Sequence, residues 1–149
     1  MDAIELLTID PGVHKSAVAL WNFDGRLIFA DDLKNDAVFR LIRGVAEARV
    51  VVETPVKYPT KRKQHKDVGD LLEVAEQMKK TALRSLGVSP SAWKGQVPKK
   101  IHGRRILEAL EDTEKKSALS IDNHNTIDAI GLGLWVLGRL GRGGGRKHH

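Results

Sequence analysis

Two short apolar runs in this chain each end in a carboxylate. IELLTID closes on Asp10, and RVVVE closes on Glu53. Apolar runs of this length, each followed by a proline-containing turn, read as buried strands, and the fully apolar RVVVE reads as a central parallel one. A third acid, Asp128, stands in DNHNTIDAIGLGLWVL, where Ile127, Ala129, Ile130, Leu132 and Leu134 make a helix apolar nearly all round. A carboxylate is costly to bury unless it is paired or binds a cation. Three of them, distant in sequence, predict a fold that gathers them around a divalent ion, and hard oxygen ligands of this kind suit Mg²⁺ or Mn²⁺. Taken singly, each has a plainer reading. Asp10 before Pro-Gly is first a turn residue, Glu53 a strand end at solvent, and Asp128 a helix-surface acid.

The rest of the chain extends the pattern. SAVALW and RLIFAD are two more strands joined through NFDG, whose Asp-Gly suits a hairpin. With IELLTID they predict an antiparallel meander. In the PGVHK turn, Gly12 is expected to use positive φ. A helix capped by Asn35 or Asp36 runs to about Ala48, so that strand, helix and strand imply a right-handed crossover into RVVVE. A second helix is expected from Asp67 to Leu86, with Gly87 as its stop, then an irregular or short-strand segment up to Pro98. A basic helix follows over Lys99–Leu110, then a turn or two in EDTEKKSALS, and a last helix from Asp122, as N-cap, to Leu140. The predicted fold is α/β, with a five-stranded mixed sheet flanked by helices.

Four segments in this order, TIDPG, VVVETP, WKGQVPKKIHGRR and HNTIDAIG, resemble the RuvC-like Holliday junction resolvases of the RNase H-like nuclease superfamily, especially the short phage-type versions. The resemblance runs from Ile4 to about Leu140. It implies an RNase H-like fold and a homodimer that cuts two strands of a four-way DNA junction symmetrically, by two-metal phosphodiester hydrolysis. It makes Asp10, Glu53 and Asp128 metal ligands, and places Lys94 and Lys99 near the scissile phosphate; an ordinary basic loop is an equal reading for the two lysines. In that family the position three before the last Asp is usually acidic or His. Here it is Asn125, a neutral oxygen donor. His124 and Asn125 both share a helix face with Asp128, so a fourth ligand, or a group acting on the attacking water, stays open between them. Trp93 reads as core. DNHNTID is not an EF-hand loop, since it lacks Gly at position six and Glu at position twelve. GLGLW lies inside a helix and is no dinucleotide loop.

Charge points to the partner. The chain of 149 residues carries a net +6, concentrated in three acid-free runs: 57–66, 94–105 and 139–147. These hold 14 of the 25 Lys and Arg residues, and the remainder is left with 11 basic against 19 acidic groups. Focused positive patches on an acidic body are the footprint of a polyanion. The expected DNA contacts are Lys57, Tyr58, Lys61, Arg62, Lys63, Lys66, Lys94, Lys99, Lys100, Arg104 and Arg105, with Tyr58 stacking on an unpaired base or packing on its own prolines. One domain is expected over 1–140, with a disordered basic tail at 141–149. The absence of cysteine and of any secretion or membrane-spanning segment fits a cytoplasmic protein of a bacterial or phage-infected cell. The dimer face is expected on the long second helix, through Leu71, Leu72, Ala75, Met78 and Ala82. Two other functions are compatible with these residues: an RNase H-like nuclease acting on other branched DNA, an RNA–DNA hybrid or structured RNA, and a non-catalytic nucleic-acid-binding protein.

Overall fold

The computed structural model describes residues 3–55, 62–95 and 97–140, without the side chains of 62–67. Its centre is a five-stranded sheet in the order β3-β2-β1-β4-β5, made of β1 (Ile4–Asp10), β2 (Lys15–Asn22), β3 (Leu27–Lys34), β4 (Arg49–Glu53) and β5 (Ser85–Val88). The first three strands form the expected antiparallel meander, and β1, β4 and β5 run parallel. Gly25 closes the β2–β3 hairpin at φ 75°, the conformation for which a glycine is needed there.

Alternation along the strands sorts side chains to two faces. Leu7, Ile9, Val50 and Val52 point to one face, where α1 (Asn35–Gly44) and α2 (Arg62–Thr81) cover them with Val38, Ile42, Ala75 and Met78. Leu6 and Val51 point to the other face, covered by α3 (Pro90–Lys94), α4 (Lys99–Ala109), α5 (Asp112–Ser117) and α6 (His124–Val136). Thr8 belongs to this second face and donates to the carbonyl of Ala129 on α6 at 2.8 Å. It also accepts from the indole of Trp21 at 3.1 Å. The first of these buried bonds ties α6 to β1, and the second ties Trp21 of β2 to the same hydroxyl. Gly133 makes the close approach possible, because a Cβ there would stand 2.2 Å from the Trp21 ring. Gly133→Ala is therefore expected to destabilise the fold by about 1–3 kcal/mol through overpacking; a urea melt with an unchanged midpoint would show that the ring can move aside.

Several boundaries differ from those expected, for local reasons. Asn35 does not cap α1, and no side chain does. Its amide instead donates to the carbonyls of Gly12 and Val13, while its Oδ1 accepts from Ser16. Gly12 is needed for space rather than for positive φ: a Cβ would lie 2.1 Å from the Lys15 carbonyl oxygen. The second helix starts at Arg62, before Asp67, and ends at Thr81. Leu86 and Gly87 lie in β5, because β4 offers a free edge with which residues 85–88 pair. Asn123, not Asp122, caps α6, its Oδ1 accepting from the Asn125 amide at 2.8 Å. That helix stops at Val136 rather than Leu140. Gly138, at φ 73°, reverses the chain, and the amides of Gly138 and Arg139 return to the carbonyls of Trp135 and Leu134.

The reversal aims Arg139 inward. Its guanidinium grips Glu114 through both oxygens, at 2.6 and 2.7 Å, and also donates to the carbonyls of Gly25 and Ala109. Glu114 further accepts from the amides of Leu27 and Glu111. Arg139, half-buried, is thus engaged by an internal ion pair. Burial alone would raise the Glu114 carboxyl, but these hydrogen bonds outweigh it and hold the group down at about 2.

Candidate active site

β1 and β4 are neighbours whose last paired residues are Ile9 and Val52, so Asp10 and Glu53 emerge side by side where both strands end. Both belong to the face covered by α6. The C-terminal edge of parallel strands is where open α/β sheets commonly place ligands. Asp128, on the second turn of α6, completes the group: Asp10 feels the charge of both Glu53 and Asp128. The three carboxylates predicted from sequence thus lie within electrostatic reach of one another at this edge.

The next parallel strand supplies two further residues. Val88 of β5 pairs with Glu53, and α3 begins almost at once, with Pro90 at its N-terminus. This short helix delivers Trp93 and Lys94 to the carboxylates. Lys94 Nζ lies 3.0 Å from Asp128 Oδ2 and 3.2 Å from Glu53 Oε2. The indole of Trp93 donates to Glu53 Oε2 at 2.7 Å. Trp93 was expected in the core and is there, at 6% exposure. Its bond to Glu53 went unforeseen, although its place beside Lys94 was the available signal. His102, on α4, stacks obliquely against Trp93 with ring centroids 4.9 Å apart. Its Nε2 is buried without a hydrogen-bond partner among the described residues, and burial pushes its imidazole below the usual value.

Charge at the site is unbalanced. Three carboxylates face one ammonium. Burial first, and then Glu53 and Asp128, push Asp10 well above the ordinary carboxylate range, with Lys94 only partly opposing them. Burial disfavours the Lys94 charge, but Glu53 and then Asp128 outweigh it and raise Lys94 above its usual value. A cluster short of positive charge and rich in hard oxygen donors fits a divalent cation in its chemistry. Among the described residues, no three carboxylate or imidazole groups are yet drawn together to hold an ion directly; Lys94 stands between two of the acids instead.

The other predicted residues lie apart from this centre. His124 and Asn125 are exposed on the first turn of α6, and among the described residues no hydrogen bond or ion pair joins either to the three acids. Lys99, Lys100 and Arg104 are exposed along α4, and Arg105 is half-buried. Lys57, Tyr58 and Lys61 lie outside the described residues, as do the side chains of Arg62, Lys63 and Lys66 and the tail 141–149. On α2, Ala75 and Met78 are fully buried in the chain's own core, which leaves Leu71 and Leu72, both half-buried, as the larger apolar groups of the expected dimer face. A cleft of about 790 Å³ opens at the opposite end of the sheet, beside Ile4, Val45 and Leu83, and contains none of the site residues. No helix among the described residues is long and apolar enough to cross a membrane.

No protein-family model matches this chain, and no curated protein matches it by sequence. Among solved structures, it is similar to RuvC of Thermus thermophilus. In the complex of that protein with a Holliday junction substrate, the match covers 90% of this chain and 94% of the other, at a TM-score of 0.58 and 16% identity. A second structure of T. thermophilus RuvC matches over 91% and 97% of the two chains, at a TM-score of 0.50 and 13% identity. With its five-stranded mixed sheet flanked by helices, the chain thus shares the fold of the RuvC structures, an RNase H-like α/β fold.

Proposed function

We propose that this chain is a metal-dependent, structure-selective endonuclease that resolves four-way DNA junctions as a homodimer. The observation that carries the reading is the convergence of Asp10, Glu53 and Asp128, from two adjacent strand ends and one helix, around Lys94. The similarity to a RuvC solved with junction DNA supports the choice of substrate.

The three acids would hold Mg²⁺ or Mn²⁺, with Asn125 or His124 as the candidate fourth ligand. Held by these residues, such ions would supply activation of the attacking water and neutralisation of the leaving 3′ oxygen. The remaining work falls to the chain's own residues. Lys94, which now pairs with Glu53 and Asp128, would be free to neutralise a phosphate at the same edge if a divalent ion took over those acids. Lys99, Lys100, Arg104 and Arg105 on α4, with the 57–66 run, would hold the flanking backbone. Neutralising Lys61, Arg62 and Lys63 together (each to Gln) is expected to weaken DNA binding and to flatten its salt dependence. Each lost phosphate contact removes about 0.9 from the slope of log K against log salt; an unchanged slope would show that these three residues are only solvated.

The substrate is tested by a panel of labelled four-way junctions, flaps, duplexes and RNA–DNA hybrids in Mg²⁺. Symmetric paired cuts in the junction, far faster than in the other substrates, are expected. Preferential cleavage of a flap or a hybrid would assign the chain to a different RNase H-like activity, and tight junction binding without cleavage would make it a binding protein.

A further inference from the structure

We propose that Trp93 is a positioning residue of this site: its indole N–H holds Glu53 Oε2 and so fixes the carboxylate that a divalent cation would use. The inference rests on the cation reading above and concerns how the chain prepares for that ion. Glu53 has three rotatable bonds, and its side chain is 9% exposed, so something must choose its orientation. Two donors reach the same oxygen, Trp93 at 2.7 Å and Lys94 at 3.2 Å. They differ in what a cation would do to them. The ammonium of Lys94 would be repelled by an arriving positive ion. The indole is neutral, a donor only, and keeps its bond when the charge nearby changes. Only the Trp93 contact can therefore persist in both states.

The ring is held as firmly as this role needs. α3 follows β5 directly, and β5 is in register with the strand that carries Glu53. His102 braces one side of the ring. On α6, Gly131 leaves room for it, since a Cβ there would lie 2.8 Å from Trp93 Cζ3. Both glycines of GLG in α6 are thus close approaches: Gly133 accommodates Trp21, and Gly131 accommodates Ile106 and Trp93. Outer groups that orient a metal ligand typically change metal affinity or activity by about 10–100-fold when removed.

The plain alternative is that a buried indole simply needs an acceptor and Glu53 happens to serve. The indole N–H resonances of the ¹⁵N-labelled chain, assigned to its three tryptophans with Trp→Phe variants, test the bond, and Mn²⁺ affinity separates the two readings of it. The Trp93 signal is expected to move in Glu53→Gln while that of Trp21 stays. Trp93→Phe, which keeps most of the ring and loses the N–H, is expected to bind Mn²⁺ about tenfold more weakly by calorimetry. A Trp93 signal indifferent to Glu53→Gln, or a folded Trp93→Phe with unchanged Mn²⁺ affinity, overturns the proposal. If the wild-type chain binds no Mn²⁺, the cation reading fails and the positioning role fails with it; wild-type binding with an unchanged Trp93→Phe affinity overturns the positioning role alone.

Discussion

Asp10→Asn, Glu53→Gln and Asp128→Asn are each expected to slow cleavage of a four-way junction by about 10³-fold or more, the scale seen when a preorganised charge is removed from a catalytic site. Junction binding should persist, because it rests on the separate basic runs. Each substitution removes one negative charge and almost no volume. Each also relieves the repulsion that now raises Asp10; Glu53→Gln and Asp128→Asn in addition remove a partner of Lys94, so Asp10→Asn is the variant expected to leave the fold no less stable. A loss of activity with an unchanged or higher urea midpoint therefore marks a functional acid. Retained activity in any one variant removes that residue from the catalytic set.

The largest expected effect on stability lies at the opposite pole of the α6 layer. Arg139→Met leaves Glu114, at 2% exposure, without its bidentate partner. Breaking a buried pair from one side costs about 3–5 kcal/mol. For a chain of this size that lowers the thermal midpoint by on the order of 10 °C. The pH dependence has a definite sign. Glu114 is held at about 2 in the fold against 4.5 unpaired, so its contribution is full above 4.5 and is lost as pH falls toward 2. The gap between wild type and Arg139→Met should accordingly be widest near neutral pH and narrow below 4.5. Urea melts at several pH values check this, and a gap that stays constant on acidification would show that Glu114 is not the group left unpaired.

Much of the site was legible because strand periodicity is simple. Residues two apart share a face, so once IELLTID and RVVVE are neighbours ending together, Asp10 and Glu53 must emerge side by side. Asp128 was legible from its apolar surroundings. The parts that were not legible depend on pairings distant in sequence. Leu86 and Gly87 continue a helical pattern locally, and only the open edge of β4 turns them into a strand. Arg139 sits in a basic run and looked like part of a DNA footprint. Its real partner is a capping glutamate on α5, reached only because Gly138 reverses the chain. Trp93 read correctly as core, but no spacing rule links it to a carboxylate 40 residues away. Asn35 illustrates the same limit: the residue type suggested a cap, and the turn after β1 claimed its amide instead.

The central claim is that the carboxylate cluster is a cation-dependent catalytic centre for branched DNA. The most direct measurement is a single gel assay with a labelled, symmetric four-way junction, comparing the wild-type chain in Mg²⁺, in Mn²⁺ and in excess EDTA, with Asp10→Asn run in parallel. Paired cuts at symmetric positions in Mg²⁺ or Mn²⁺, absent in EDTA and in Asp10→Asn, are the predicted result. A junction left intact by the wild-type chain in both metals, or cut equally well in EDTA, would contradict it.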